Sequence, residues 1–144
     1  MVKSHTFGLK DIYSEDDILL DPISRRTKIK NMQQAQPTML AIPNAREYLI
    51  VKEDEILYCQ SDGNYCYINF LDGRKLLISK KLKTMEEVLN GSIFLRVHNS
   101  FLVNMLHVKK VILQDGSRMI LSNGDMITIS RTRKKELLNY LKRI

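Results

Sequence analysis

The sequence predicts a mainly β domain from residue 38 onward. Three observations lead there. Asp72-Gly73, Asp115-Gly116 and Asn123-Gly124 are hairpin-type dipeptides, each able to supply the positive φ angles of a tight two-residue turn. The segments between them are short and rich in β-branched, aromatic and aliphatic residues, as pleated strands require. Helical spacing appears only in brief stretches.

Residues 1–37 differ from the rest. They hold the acidic stretch Ser14-Glu15-Asp16-Asp17, the basic stretch Arg25-Arg26-Thr27-Lys28 and the polar run Asn31 to Gln36. With no sustained period, they read as a poorly ordered arm or linker, with room for a short docking helix around Asp16 to Leu20. In the following domain, 38–144, a strand over Tyr65–Leu71 leads into the first turn and one over Lys75–Ser79 leaves it. Leu82, Met85, Val88 and Leu89 recur at helical spacing, with Glu86 and Glu87 facing outward. Phe101–Asn104 is expected to start a short helix with Ser100 as its N-cap. Val108–Gln114, Ser117–Ser122 and Asp125–Ile129 form a three-strand meander, the last with clear alternation at Met126 to Ile129. Leu137, Leu138 and Leu141 mark one face of a C-terminal helix over 133–143. The expected core is Leu102, Val103, Val111, Ile112, Ile120, Leu121, Ile127 and Ile129.

Composition narrows the function. A 144-residue chain that is 44% hydrophobic can bury one ordinary core. No apolar run exceeds four residues, which leaves no segment for a spanning helix or a signal-peptide core; a soluble, cytoplasmic protein with no membrane partner is expected. The net charge is +7. Residues 38–144 carry 17 Lys and Arg against 11 Asp and Glu, a net +6, so the excess belongs to the predicted domain. Such a domain attracts polyanions, nucleic acid or anionic membrane among them. Cys59 and Cys66 form no C-x-x-C pair and read as small strand hydrophobes, with a redox-sensing thiol pair as the alternative. His5, His98 and His107 make no zinc pattern, and none of the common nucleotide, hydrolase or metalloprotease motifs occurs. Asn90-Gly91-Ser92 matches a glycosylation sequon but reads as a turn. Neither catalytic residues nor a cofactor nor a metal is expected.

The most distinctive stretch is Phe94-Leu95-Arg96-Val97-His98-Asn99-Ser100-Phe101-Leu102-Val103-Asn104. It resembles the central signature of the LytTR family of DNA-binding domains. Three further segments fall in that family's order: Glu55 to Tyr65, Leu76 to Lys83 and Asn123 to Arg131. The resemblance runs from about Met39 to Ile144. It implies an elongated fold of about ten short strands in small sheets, with one or two short helices and a C-terminal helix. It also implies double-stranded DNA binding by loops that enter successive major grooves, as in a bacterial transcription regulator.

The same resemblance marks candidate contacts. Asn99 occupies a groove-facing position, where its amide can pair bidentately with adenine; the alternative is a turn cap. The family's usual consecutive arginines are here Arg131-Thr132-Arg133, so the base reader is Arg131 or Arg133, with the other on phosphate. Basic side chains in the first turn of a helix oppose its dipole, so Arg131, Arg133, Lys134 and Lys135 point to a phosphate partner or to a solvated helix start. Asn64 and Tyr65, in the loop after Ser61, are further candidates for base contact; an ordinary hairpin loop is the alternative. Lys80, Lys81, Lys83, Arg96, Ser100, Thr132 and Lys134 are candidate phosphate contacts, which position without reading sequence. His98 and Asn104 are expected to be structural.

Two other classes stay open at this point. One is a basic module that binds an acidic protein or anionic surface without sequence readout. The other is an RNA-binding barrel stacking bases on Tyr58, Tyr65, Tyr67 and Phe70. On the leading reading the partner is double-stranded DNA with paired or repeated sites, bound by a possible homodimer. A receiver domain or another input partner accompanies many members of the family.

Overall fold

The computed structural model describes residues 38–89, 91 and 93–144. The expected arm at 1–37 with its helix near Asp16, and Asn90 and Ser92 of the sequon, lie outside the described residues. The fold is mainly β, as the sequence predicts: small antiparallel sheets and two short helices. The strands are β1 (Met39–Asn44), β2 (Glu47–Lys52), β3 (Ile56–Asp62), β4 (Tyr65–Phe70), β5 (Lys75–Ile78), β6 (Phe94–His98), β7 (Phe101–Asn104), β8 (Val108–Ile112), β9 (Arg118–Leu121) and β10 (Met126–Thr128). The helices are α1 (Leu82–Val88) and α2 (Lys134–Tyr140).

A five-stranded sheet in the order β5-β4-β3-β7-β6 forms the centre. Both of its faces are covered, because its strands alternate apolar residues to either side. In β7, Leu102 joins one core and Val103 the other. The first core gathers Cys59, Cys66, Ile68, Phe70 and Leu102 beneath the β1–β2 hairpin and α1, which supply Leu40, Ile42, Val51, Leu82 and Met85. The second sets Leu57, Leu95, Val97 and Val103 against the β8–β9–β10 meander and α2, through Met119, Leu121, Ile127 and Leu137. A register shift between Ile56 and Tyr58 sets the consecutive residues Leu57 and Tyr58 into this one core.

Several expectations are corrected. Phe101–Asn104 is a strand, not a helix, and Ser100 caps nothing. β-branched and aromatic residues alternating to two cores suit a central strand, and β7 is paired on both edges, with β3 and β6. All three Gly turns are longer than two residues, because the strand registers, continued into the turns, leave 71–73, 114–116 and 122–124 between the last opposed positions. In the turns at Asp72-Gly73 and Asn123-Gly124 only the glycine has positive φ. Gly73 N–H donates to the Phe70 carbonyl, and Gly124 N–H to that of Leu121. This is a type I turn closed by a left-handed glycine, stabilised by Asp72 and Asn123 side chains that accept from the main chain two residues on. Only Asp115-Gly116 has both φ values positive. The C-terminal helix ends at Tyr140, because Leu141 is extended. Val88 is 53% exposed, and Val111, Ile112 and Ile120 are half-buried. In β9, Met119 and Leu121 take the inward face, so Ile120 points away.

Cys59 and Cys66 are buried in the first core on neighbouring strands. The hydrogen bond that the Cys59 thiol donates to Cys66, together with burial, pushes the Cys59 thiol well up, and both side chains pack as small hydrophobes. Asn104 is the one fully buried polar side chain in the described core. Its Nδ2 donates to the Ile56 carbonyl at 2.9 Å and its Oδ1 accepts from Leu106 N–H at 3.0 Å, tying β7 to β3 and to the 3-10 turn at Met105–His107. It is structural, as the sequence suggested.

Candidate nucleic-acid interface

One end of the five-stranded sheet collects the sequence-predicted residues. β3 ends there and β4 begins there, joined by Asp62 to Tyr65. β6 turns into β7 through Asn99 and Ser100 at the same end, because Gln60 pairs with Phe101. β5 also finishes there: Ile78 pairs with Cys66, so Lys80 and Lys81 leave beside the β3–β4 turn. Two main-chain hydrogen bonds lock the loops together. Ser61 N–H donates to the Ser100 carbonyl at 2.9 Å, and Ser130 N–H donates to the Val97 carbonyl at 2.8 Å. The second bond fixes the Ser130–Arg133 turn two residues from Asn99, although over 30 residues of chain separate them.

Each loop has a local cause. Gly63 holds φ +62°, a left-handed conformation that glycine adopts without strain, and leaves Asn64 and Tyr65 exposed on the tip. At the β6–β7 turn a register shift between Arg96 and His98 forms a bulge, a device that re-aims side chains at strand ends. Around it the polar main chain is occupied. His98 Nδ1 accepts from Ser100 N–H at 3.0 Å, which places the ring proton of a neutral imidazole on Nε2. The His98 ring also packs on Phe101 at 5.6 Å. The Arg96 guanidinium donates through Nε to the His98 carbonyl at 2.9 Å and through Nη2 to the Asn99 carbonyl. Its Nη1 meets Glu86 Oε1 at 2.8 Å. Asn99, by contrast, is exposed and its side chain has no hydrogen-bond partner among the described residues. The main chain of the turn is held by hydrogen bonds, and the side chain at its tip is exposed.

The Ser130–Arg133 turn is closed by Arg133 N–H donating to the Ser130 carbonyl at 3.1 Å. Ser130 and Thr132 hydroxyls approach at 3.4 Å. Arg133 reaches Glu136 at 3.7 Å and is half-buried. Arg131 is exposed and has no acidic partner among the described residues. It borders a concavity shared with Lys134, Lys135, Asn139 and Arg143, a concentration of positive charge with no carboxylate in its lining. Lys80, Lys81 and Lys83 are exposed, again without an acidic partner among the described residues.

The family model for the LytTr DNA-binding domain matches residues 46–142. The chain belongs to the LytTR family. A LytTR relative, the sensory transduction protein LytT of Bacillus subtilis, is 31% identical over 104 residues, 71% of this chain and 43% of the relative. The transcriptional regulatory protein BtsR of Salmonella typhi is 30% identical over 107 residues, 73% of this chain and again 43% of the relative. The chain therefore spans less than half the length of these relatives. A solved LytTr DNA-binding domain from Bacillus cereus superposes with a TM-score of 0.63 at 18% identity, over 75% of this chain and all of that one; it supports the fold. Among the described residues of this LytTR domain, no helix is long and apolar enough to cross a membrane, and no cluster of side chains could hold a metal ion.

The aromatic residues considered for RNA stacking do not form a platform in this LytTR domain. Tyr58 and Phe70 are buried. The Tyr58 hydroxyl donates to Asp125 Oδ2 at 3.1 Å, and burial, with the Asp125 carboxylate beside it, pushes its pKa up to about 12. Tyr67 lies under Lys75, whose Nζ is 4.4 Å from the ring centroid; only Tyr65 is open, at the loop tip. Sequence reasoning missed the clamp made by Arg96. Its clue was weak: an arginine set within an apolar strand, with a helical glutamate ten residues earlier.

Proposed function

We propose that this LytTR domain is the DNA-reading part of a bacterial transcription regulator and recognises specific double-stranded sites through its clustered loops. The observation that carries the reading is the joining of three loops, Asp62–Tyr65, Asn99–Ser100 and Ser130–Arg133, at one sheet end by the Ser61–Ser100 and Ser130–Val97 hydrogen bonds. Loops so joined can enter a duplex as one unit, with little ordering cost on binding. Asn99 reads a base, adenine being the best match to its amide, and Arg131 reads guanine. Arg133, held by Glu136, approaches a phosphate with Lys134, Thr132 and the Ser100 hydroxyl. Asn64 and Tyr65 flank the contact on the other side. Lys80, Lys81 and Lys83 anchor a neighbouring phosphate run. Arg96 supports the turn from behind, since three of its donors are already taken within the protein.

Two copies on a repeated element are the expected arrangement, with a receiver domain or other input partner controlling occupancy; the matched segment is less than half of each relative, which leaves room in them for a further domain. The test is a titration of a duplex selected from a random library, and of its scrambled counterpart, with wild type and Asn99→Ala. Bidentate readout is worth about 1–3 kcal/mol, hence a loss of about 5- to 150-fold on the selected duplex alone. Equal, salt-sensitive binding of both duplexes would instead describe a generic basic surface.

A further inference from the structure

From the geometry behind the β6–β7 turn we infer that Glu86, on α1, is a positioning residue for base readout and acts through Arg96. The inference rests on the DNA-binding reading above. Glu86 Oε1 holds Arg96 Nη1 at 2.8 Å. The rest of that guanidinium donates to the carbonyls of His98 and Asn99, the two peptide groups that flank the Asn99 side chain. Only 13% of the Arg96 side chain is exposed, against 38% for Glu86, so the pair sits behind the turn and not at its tip. A planar guanidinium with fixed donors suits such a brace, and the carboxylate both orients it and balances its charge.

The brace joins two parts of the interface. α1 is anchored in the first core by Leu82 and Met85. Its N-terminal end carries the exposed Lys81 and Lys83, the expected phosphate anchors. Glu86 lies one turn further along the same helix and reaches the base-reading turn. A phosphate contact that seats α1 thereby also sets the height and tilt of Asn99. Glu86 never meets DNA, and as an anion near a polyanion it would weaken generic attraction. Its contribution is to selectivity.

The experiment uses the full chain with Glu86→Ala, Glu86→Gln and Arg96→Lys. Affinity for the selected and scrambled duplexes is measured at several salt concentrations, and Ser100 amide exchange is followed without DNA. Glu86→Ala is expected to cut the selected-to-scrambled ratio by about tenfold, within the range that one base contact spans. Scrambled binding should stay level or rise, with the salt slope unchanged. Glu86→Gln, which keeps an acceptor oxygen but loses the charge, should fall between. Arg96→Lys should behave like Glu86→Ala, because a lysine cannot brace two carbonyls and a carboxylate together. Ser100 amide exchange should quicken in Glu86→Ala and Arg96→Lys. A general loss of structure would lower both affinities together and overturn the proposal. So would an unchanged ratio in Glu86→Ala. An Arg96→Lys protein that keeps full selectivity would mark Arg96 as a simple phosphate contact and overturn it too. If wild type itself prefers neither duplex, the DNA reading fails and base positioning fails with it; faster Ser100 exchange in Glu86→Ala then still supports the brace, and unchanged exchange removes that as well.

Discussion

Replacing Asn104 with alanine should be among the most damaging single changes in the domain, although Asn104 touches no proposed DNA contact. The side chain is fully buried and makes two hydrogen bonds, to the Ile56 carbonyl at 2.9 Å and from Leu106 N–H at 3.0 Å. Alanine strands the buried Ile56 carbonyl away from water and takes the partner from the part-buried Leu106 N–H. A buried group left unpaired costs about 1–3 kcal/mol, and the void adds to it, so a total of about 3 kcal/mol follows. With a urea slope of about 1.5 kcal/mol/M for a domain of this size, the unfolding midpoint should fall by about 2 M. Asn104→Asp should be at least as severe, since it turns an acceptor oxygen toward the Ile56 carbonyl and buries a charge. Urea unfolding followed by circular dichroism reads both variants. A midpoint shift below about 0.5 M for Asn104→Ala would refute the assignment of Asn104 as the tie between β3, β7 and the turn that follows.

Three further outcomes are expected. Tyr58 is held neutral in the fold, its pKa raised from 10.0 to about 12. A raised folded pKa gives stability that is complete below the unfolded value and lost above it, so stability should fall as pH climbs from 10 to 12. Tyr58→Phe should flatten that fall in alkaline urea titrations, and an unchanged slope would contradict the Tyr58–Asp125 pairing. Lys81→Ala should weaken selected and scrambled duplexes equally and reduce the salt slope by about one; a loss confined to the selected duplex would make Lys81 a base reader. Gly63→Ala should destabilise the β3–β4 turn by about 1 kcal/mol, because φ +62° strains an alanine. Gly63→Asn, which tolerates that region, should restore most of the stability in thermal melts.

Much of the fold was legible because its signals are local. The Gly turns, the meander and α1 each show in a few consecutive residues. β1 and β2 carried no such mark: their turn has Ala45 at φ +54°, where a glycine or asparagine would have announced it. β7 was misread because three apolar residues after a serine suit a capped helix as well as a strand. Pairing with β3, some forty residues earlier, decides the matter, and no window of sequence contains that. The site divides in the same way. Asn99 and the basic run after Ser130 stood out by motif. The role of Arg96 depends on Glu86 and on two carbonyls brought close by a bulge, so spacing alone suggested a phosphate contact. That Arg133 is paired, while Arg131 has no acidic partner among the described residues, also needed the start of α2, which sets Glu136 within reach.

The central claim is that Asn99 reads a base from a turn held by hydrogen bonds behind it. Its most direct test is to select binding sites from a random duplex library with wild type and with Asn99→Arg, then compare the two motifs. The account predicts a short wild-type motif, repeated about one helical turn apart, and an Asn99→Arg motif that differs at one position per repeat, adenine giving way to guanine. Identical motifs from the two proteins would contradict it.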